Sequence, residues 1–134
     1  MTFTPYIFFH GNAAQAIDFY AEVFGADNVV KMPFSDAPPE AGLADVDRLM
    51  HAQIDVGGQT LMCSDVPPDM PYQPQAGFAV SHAVETLEEA KSTFAKLCDG
   101  GEATMPFAAT FFSSGFGMCK DRFGTDWMVM VNDG

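Results

Sequence analysis

Positive charge is scarce in this chain: six Lys and Arg stand against eighteen Asp and Glu in 134 residues, a formal net charge of −12. A surface that binds nucleic acid or an anionic membrane must neutralise phosphate with basic side chains, so both partner classes are excluded. Cysteine is almost as scarce. Cys63, Cys98 and Cys119 are odd in number and none belongs to a C-x-x-C pair. That usage excludes a disulfide framework and predicts free thiols in a reducing, cytoplasmic setting, with Cys63 and Cys119 as the candidates for a reactive thiol. Histidine occurs only at positions 10, 51 and 82. No apolar run reaches the ~18 residues needed to span a bilayer. The opening Met-Thr-Phe-Thr-Pro-Tyr carries no basic segment of a secretory signal.

What is abundant points to a packed core. Hydrophobic residues make up 48% of the chain and charged residues 18%, a composition that folds. The length suits one domain, spanning 1–134, that buries roughly two-thirds of its unfolded surface. The acids are scattered, which predicts a soluble, self-repelling surface.

Two helices are written in the apolar spacing. Ala13, Ala16, Ile17, Tyr20, Val23 and Phe24 recur at helical intervals after Asn12, an N-cap candidate, and Gly25 is a stop signal. Leu87, Ala90, Phe94, Leu97 and Cys98 do the same after Thr86. Glu89 completes a capping box there, and Gly100-Gly101 ends the run.

The two helical runs superpose with an offset of 74 (86 − 12), which sets Ala16 on Ala90, Tyr20 on Phe94 and Val23 on Leu97. Each follows an apolar strand, Tyr6 to Phe9 and Gly77 to Val80. Each precedes an echo, Lys31-Met32-Pro33-Phe34 and Thr104-Met105-Pro106-Phe107. Each half ends in a hairpin pattern: 51–56 and 59–65 around Gly57-Gly58, then 111–120 and 125–131 around Asp121 to Gly124. The chain therefore reads β-α-β-β-β twice, a duplication of 1–65 and 76–134 joined by 66–75. Four of the nine prolines fall in that joint and keep it irregular.

The run Phe8-Phe9-His10-Gly11-Asn12, followed by Ala16, Phe19-Tyr20 and Val23-Phe24-Gly25, resembles the opening of PhnB-like proteins. So do Met32-Pro33, Ser35-Asp36, Met50-His51-Ala52, Gly57-Gly58, Leu61-Met62 and Ser64-Asp65. The closing stretch is the most specific: Phe111-Phe112, Phe116-Gly117-Met118, Asp121-Arg122-Phe123-Gly124 and Trp127-Met128. The resemblance covers nearly the whole chain. It implies an α+β fold of the vicinal oxygen chelate (glyoxalase/bleomycin resistance/dioxygenase) superfamily, in which two βαβββ modules form a curved mixed sheet around a cleft.

Some members of the group are described as demethylubiquinone methyltransferases. A methyltransferase of the common kind binds its cofactor at a Gly-rich turn after the first strand of a parallel sheet. This chain has no G-x-G-x-x-G, so no cofactor is expected. The resemblance also implies where a divalent metal would sit: seven residues before each helix cap, and seven after the Asp of the last turn. Those positions hold Pro5, Ala79 and Met128, none a useful ligand, so no metal is expected.

On that fold, strand alternation predicts the cleft lining. Pro5, Ile7 and Phe9 would face it from the first strand, Ala79, Ser81 and Ala83 from its counterpart, and Asp126, Met128 and Met130 from the last. Phe111, Phe112 and Phe116 join them. His10 and His82 fall toward the helix layer, and Trp127 falls with Val129 and Val131 in the core. Of the third strand, Met50, Ala52, Ile54 and Val56 are expected against a helix, and His51, Gln53 and Asp55 on the other face. His51 is the candidate general base and Asp65, expected opposite it, the orienting carboxylate. Phe9, Ser81, Phe112, Phe116, Asp126 and Met128 are the candidate ligand contacts. Lys120 and Arg122 either attract a carboxylate or pair with surface acids.

The reading these features favour is a binding protein, or metal-independent enzyme, for a small apolar or aromatic molecule. The alternatives are a metal-dependent lyase, isomerase or dioxygenase with displaced ligands such as His51 and Asp65, and a non-catalytic dimeric module. The resemblance further implies a homodimer.

Overall fold

The computed structural model describes residues 1–43 and 46–132, and falls into two compact units, Met1–Pro74 and Gln75–Gly134. The first contains β1 (Tyr6–Phe9), α1 (Ala13–Phe24), β2 (Asn28–Pro33), two short 3-10 helices (Phe34–Asp36 and Pro39–Ala41), β3 (Leu49–Val56) and β4 (Gln59–Asp65). The second contains β5 (Val80–Val84), α2 (Leu87–Cys98), β6 (Glu102–Ala108), β7 (Phe116–Lys120) and β8 (Asp126–Val131). The sheets have the same topology, β1-β4-β3-β2 and β5-β8-β7-β6. In each, the first strand runs parallel to the last and the other pairs are antiparallel. The fold is α+β, two four-stranded mixed sheets each carrying one helix. No helix of the described residues is long and apolar enough to cross a membrane.

Each helix covers one face of its own sheet. Of the expected stripe, Ala13, Ala16, Ile17, Tyr20 and Val23 are buried, and Phe24, at the end of the helix, is half-buried. The stripe packs over Ile7, Phe9, Ala52, Ile54, Leu61 and Cys63, all at most 9% exposed. Lys31 lies on this side of β2, because its ammonium reaches Asp18 of α1 at 2.7 Å. On α2, Ala90, Thr93, Phe94 and Leu97 are buried, while Leu87, expected on that face, is 39% exposed. Trp127, Val129 and Val131 form the matching side of β8.

The caps differ from expectation in one case. Thr86 Oγ1 accepts from Glu89 N at 3.2 Å, as the capping box requires. The Asn12 side chain makes no capping bond. Asp65, from the end of β4, takes that role: its Oδ1 accepts from Gly11 N at 2.8 Å and Ala13 N at 3.0 Å. The first hairpin turns as expected on Gly57 and Gly58, with φ of 53° and 82°, the left-handed pair of a type I′ turn. The second hairpin is shorter than expected. β7 begins at Phe116, and 111–115 are loop. Thr110 Oγ1 accepts from the amides of Phe112 and Ser113, and the buried Ser113 hydroxyl bridges the carbonyls of Gly115 and Val131 at 2.8 Å each. These side chains occupy groups that a longer strand would have paired across the ladder.

The two connections from strand to helix differ by one residue, with consequences for every side chain before them. Phe9 O accepts from Val66 N, and Val84 O accepts from Asn132 N, so Phe9 and Val84 are equivalent, 75 apart (84 − 9). The helices begin 74 apart (87 − 13). The extra residue lies between β1 and α1, where Gly11 sits at φ 99°. Counting back from the helix cap therefore predicts the wrong face of β1, because side chains alternate every residue.

Candidate functional site

The inverted register corrects the first strand. Ile7 and Phe9, expected in the cleft, point at α1, and Phe9 is 0% exposed. Tyr6 and Phe8 take the opposite face, 41% and 54% exposed. Pairing places Tyr6 beside Met62, Met62 beside Gln53, and Gln53 beside Val30. His51 stands beside Met32. Tyr6 packs its ring on Phe8 at 5.3 Å and on His51 at 5.6 Å between centroids. The face of the first sheet away from α1 is thus an aromatic and thioether surface around one imidazole.

That imidazole is held from both sides. Its Nε2 lies 2.9 Å from Gln53 Oε1 and its Nδ1 lies 3.0 Å from the Tyr6 hydroxyl. A carboxamide oxygen only accepts, so Nε2 carries the proton and Nδ1 accepts from the phenol. Were Nδ1 to take up a proton, both ring nitrogens would donate, and the Tyr6 oxygen could accept instead. The string therefore accommodates either charge state without orphaning a group.

Asp65 is not part of it. Oδ1 takes two amides, Oδ2 accepts from Leu49 N at 3.0 Å, and the residue is 2% exposed. Alternation puts Asp65 on the helix face with Cys63, and Ser64 on the face of His51. The structure gives His51 and Asp65 separate partners on opposite sides of the sheet.

In the second unit, Ser81 pairs with Met128, Met128 with Met118, Ala83 with Met130, and Met130 with Phe116. Since Trp127 and Val129 face α2, this set shares the other face, where Ser81 and Met128 were expected. Phe112, 44% exposed, stacks edge-on over Phe116 at 5.1 Å, leaving Phe116 buried. Asp126 sits at the rim, paired with Lys120 at 3.2 Å, and Arg122 pairs with Asp99 at 3.0 Å. His82 lies on the helix side, as expected, but in the middle of β5. Burial pushes its pKa below the ordinary 6.5, against an opposing pull from Glu89.

The buried thiols are not reactive candidates. Burial, with Asp65 nearby, pushes Cys63 up to about 12, and burial with neighbouring Cys98, Asp121 and Asp126 pushes Cys119 to about 12. Sequence reasoning missed Tyr6 and Phe8; the Gly11 insertion was the available signal. It also missed the tie of Trp127 Nε1 to Asp121 Oδ2 at 2.8 Å, which fixes the last turn from within the core.

The residues present do not fit the metal that the resemblance implies. Matching Phe9 to Val84 moves the first implied ligand from Pro5 to Thr4, equivalent to Ala79, and a threonine hydroxyl is no better a ligand for these metals. Among the described residues no three His, Cys, Asp or Glu come together as a metal group.

Known proteins agree with this architecture. A family model described as 3-demethylubiquinone-9 3-methyltransferase matches residues 1–130. Protein YjdN of Escherichia coli K12 is 31% identical over 141 residues, covering 98% of this chain and 95% of its own. The crystal structure of protein PA1353 from Pseudomonas aeruginosa superposes with a TM-score of 0.88 at 37% identity, covering 98% and 97% of the two chains. The PhnB protein of Bacillus cereus superposes at 0.73 with 26% identity, covering 98% and 99%. A glyoxylase/bleomycin resistance protein/dioxygenase domain from Frankia shares the fold at 0.67 with 12% identity, covering 98% and 96%. This chain therefore belongs to the PhnB-like family described as 3-demethylubiquinone-9 3-methyltransferase, on the glyoxalase/bleomycin resistance/dioxygenase fold.

Proposed function

We propose that this protein binds a small aromatic or largely apolar molecule on the Tyr6–Phe8–His51 face of the first unit, and that any chemistry there is metal-independent proton transfer. The observation that carries this reading is the Tyr6–His51–Gln53 string set in a half-exposed aromatic surface. Apolar walls with a few fixed polar groups are the usual composition of a small-molecule site. The Tyr6 oxygen, its one proton directed at His51 Nδ1, can accept from a ligand hydroxyl, and through that proton His51 can act as a base on the ligand. The second unit by itself presents a comparable face, with Met128 and Phe112 as apolar contacts, Ser81 as a polar one, Phe116 supporting Phe112 from beneath and Asp126 at its edge.

Methyl transfer is less well supported by these residues. The turn after β1 has Gly11 alone, whose amide already donates to Asp65, and each sheet has a single parallel pair. The three unpaired thiols support a reducing, cytoplasmic setting. Family resemblance supports a two-fold dimer, for which light scattering at micromolar concentration is the test; a monomer would refute it.

The reading is tested by thermal shift against aromatic acids, quinones and aryl phosphonates, on the wild type and on Tyr6→Phe and His51→Ala. At least one class should raise the melting temperature of the wild type and do so much less in His51→Ala. A uniform absence of shifts, or shifts indifferent to both substitutions, would refute it.

A further inference from the structure

We propose a second site, for a small oxyanion, at the end of the first sheet where β1 and β4 stop. It is built from Arg48, His10 and Gly11, with Tyr72 in support, and is independent of the reading above.

Arg48 is held through its Nη1. That nitrogen donates to Val66 O at 2.8 Å and lies 3.5 Å from His10 Nδ1. The His10 ring is stacked on Tyr72, with centroids 5.0 Å apart and planes at 23°. The Nε–Nη2 edge of the guanidinium, the edge that meets a carboxylate or phosphoryl group through two parallel bonds, has no hydrogen-bond partner among the described residues. Neither has Nε2 of His10.

Charge accounting sharpens the point. Of the six Lys and Arg in a chain of net charge −12, Lys31, Lys120 and Arg122 are ion-paired, to Asp18, Asp126 and Asp99, and Lys91 and Lys96 lie exposed on α2. Among the described residues no carboxylate lies within ion-pair distance of the half-buried Arg48. Asp65, at the same end of the sheet, is bonded instead to the amides of Gly11, Ala13 and Leu49.

The backbone of Gly11 carries no side chain toward the Nε–Nη2 edge: a Cβ there would lie in van der Waals contact with Nε and Nη2 of Arg48, at 3.7 Å, and the glycine leaves that methyl-sized position unfilled. A carboxylate or phosphoryl oxygen pair at that edge would receive two hydrogen bonds from Nε and Nη2, with Nε2 of His10 as the further donor. The guanidinium is already immobilised by Val66 and His10, so little side-chain freedom remains to be lost on binding.

The test is a ¹H–¹⁵N NMR titration of the full chain with inorganic phosphate and, separately, acetate, against sodium chloride at matched ionic strength. Saturable shifts confined to His10, Gly11 and the Arg48 Nε are expected, and the tighter-binding anion names the ligand class. Arg48→Lys keeps the charge but not the fork and should weaken binding about tenfold or more. His10→Gln should weaken it less. Arg48→Met should abolish it, and the Arg48→Lys result stands if loss of the Val66 contact unfolds that variant. Shifts no larger than chloride produces, or equal affinity in Arg48→Lys and wild type, would overturn the proposal.

Discussion

Replacing Asp65 with Asn should weaken the fold severely. The carboxylate accepts three amides at 2.8–3.0 Å, from Gly11, Ala13 and Leu49, and is 2% exposed. An asparagine retains one accepting oxygen. Its NH2 group must face either the Gly11–Ala13 pair or Leu49, donor against donor. At least one amide is then left unsatisfied, which costs about 1–3 kcal/mol, and the remaining bonds change from charge-assisted to neutral, about 1 kcal/mol each. Loss of a negative charge at the N-terminus of α1 adds about 0.3–1 kcal/mol. The sum is about 3–6 kcal/mol, a large part of the ~5–15 kcal/mol that holds a domain together. Urea unfolding followed by circular dichroism should show the midpoint falling by about 2 M at unchanged slope. Asn12→Ala is the control: its side chain makes no capping bond, so it should cost under about 0.5 kcal/mol, where a true N-cap would cost ~1. If Asp65→Asn unfolds within ~1 kcal/mol of wild type, or Asn12→Ala proves the worse variant, the assignment of the cap to Asp65 is wrong.

Other outcomes follow from the same structure. Thr86→Ala should cost about 1 kcal/mol by the same urea assay, since the Thr86 hydroxyl accepts the Glu89 amide. Native protein should expose at most Cys98 to a thiol reagent, because Cys63 and Cys119 are buried with thiols raised to about 12; in urea all three should react. His82 is held neutral by burial, so the unfolded chain binds more protons as pH falls through the unfolded value near 6.5. Stability should therefore decline from pH 7 toward 5, and His82→Gln should flatten that decline in melting curves.

The sequence by itself determined the repeat and its elements. Apolar spacing located both helices, Thr86 with Glu89 marked a start, and Gly57-Gly58 marked a hairpin, because each of these signals acts within a few residues. It also determined the side-chain alternation of β3, β5 and β8, so Ser81, Met128 and Trp127 lie on the faces expected of them. Tertiary structure decided what local pattern cannot express. The capping group of α1 comes from Asp65, more than fifty residues along the chain, and displaces the adjacent Asn12. One added residue at Gly11 leaves β1 a strand but exchanges its faces, moving Phe9 into the core and bringing Tyr6 to His51. Alternation has a period of two, so an insertion invisible to composition and helical spacing still decides which side chains can meet a ligand.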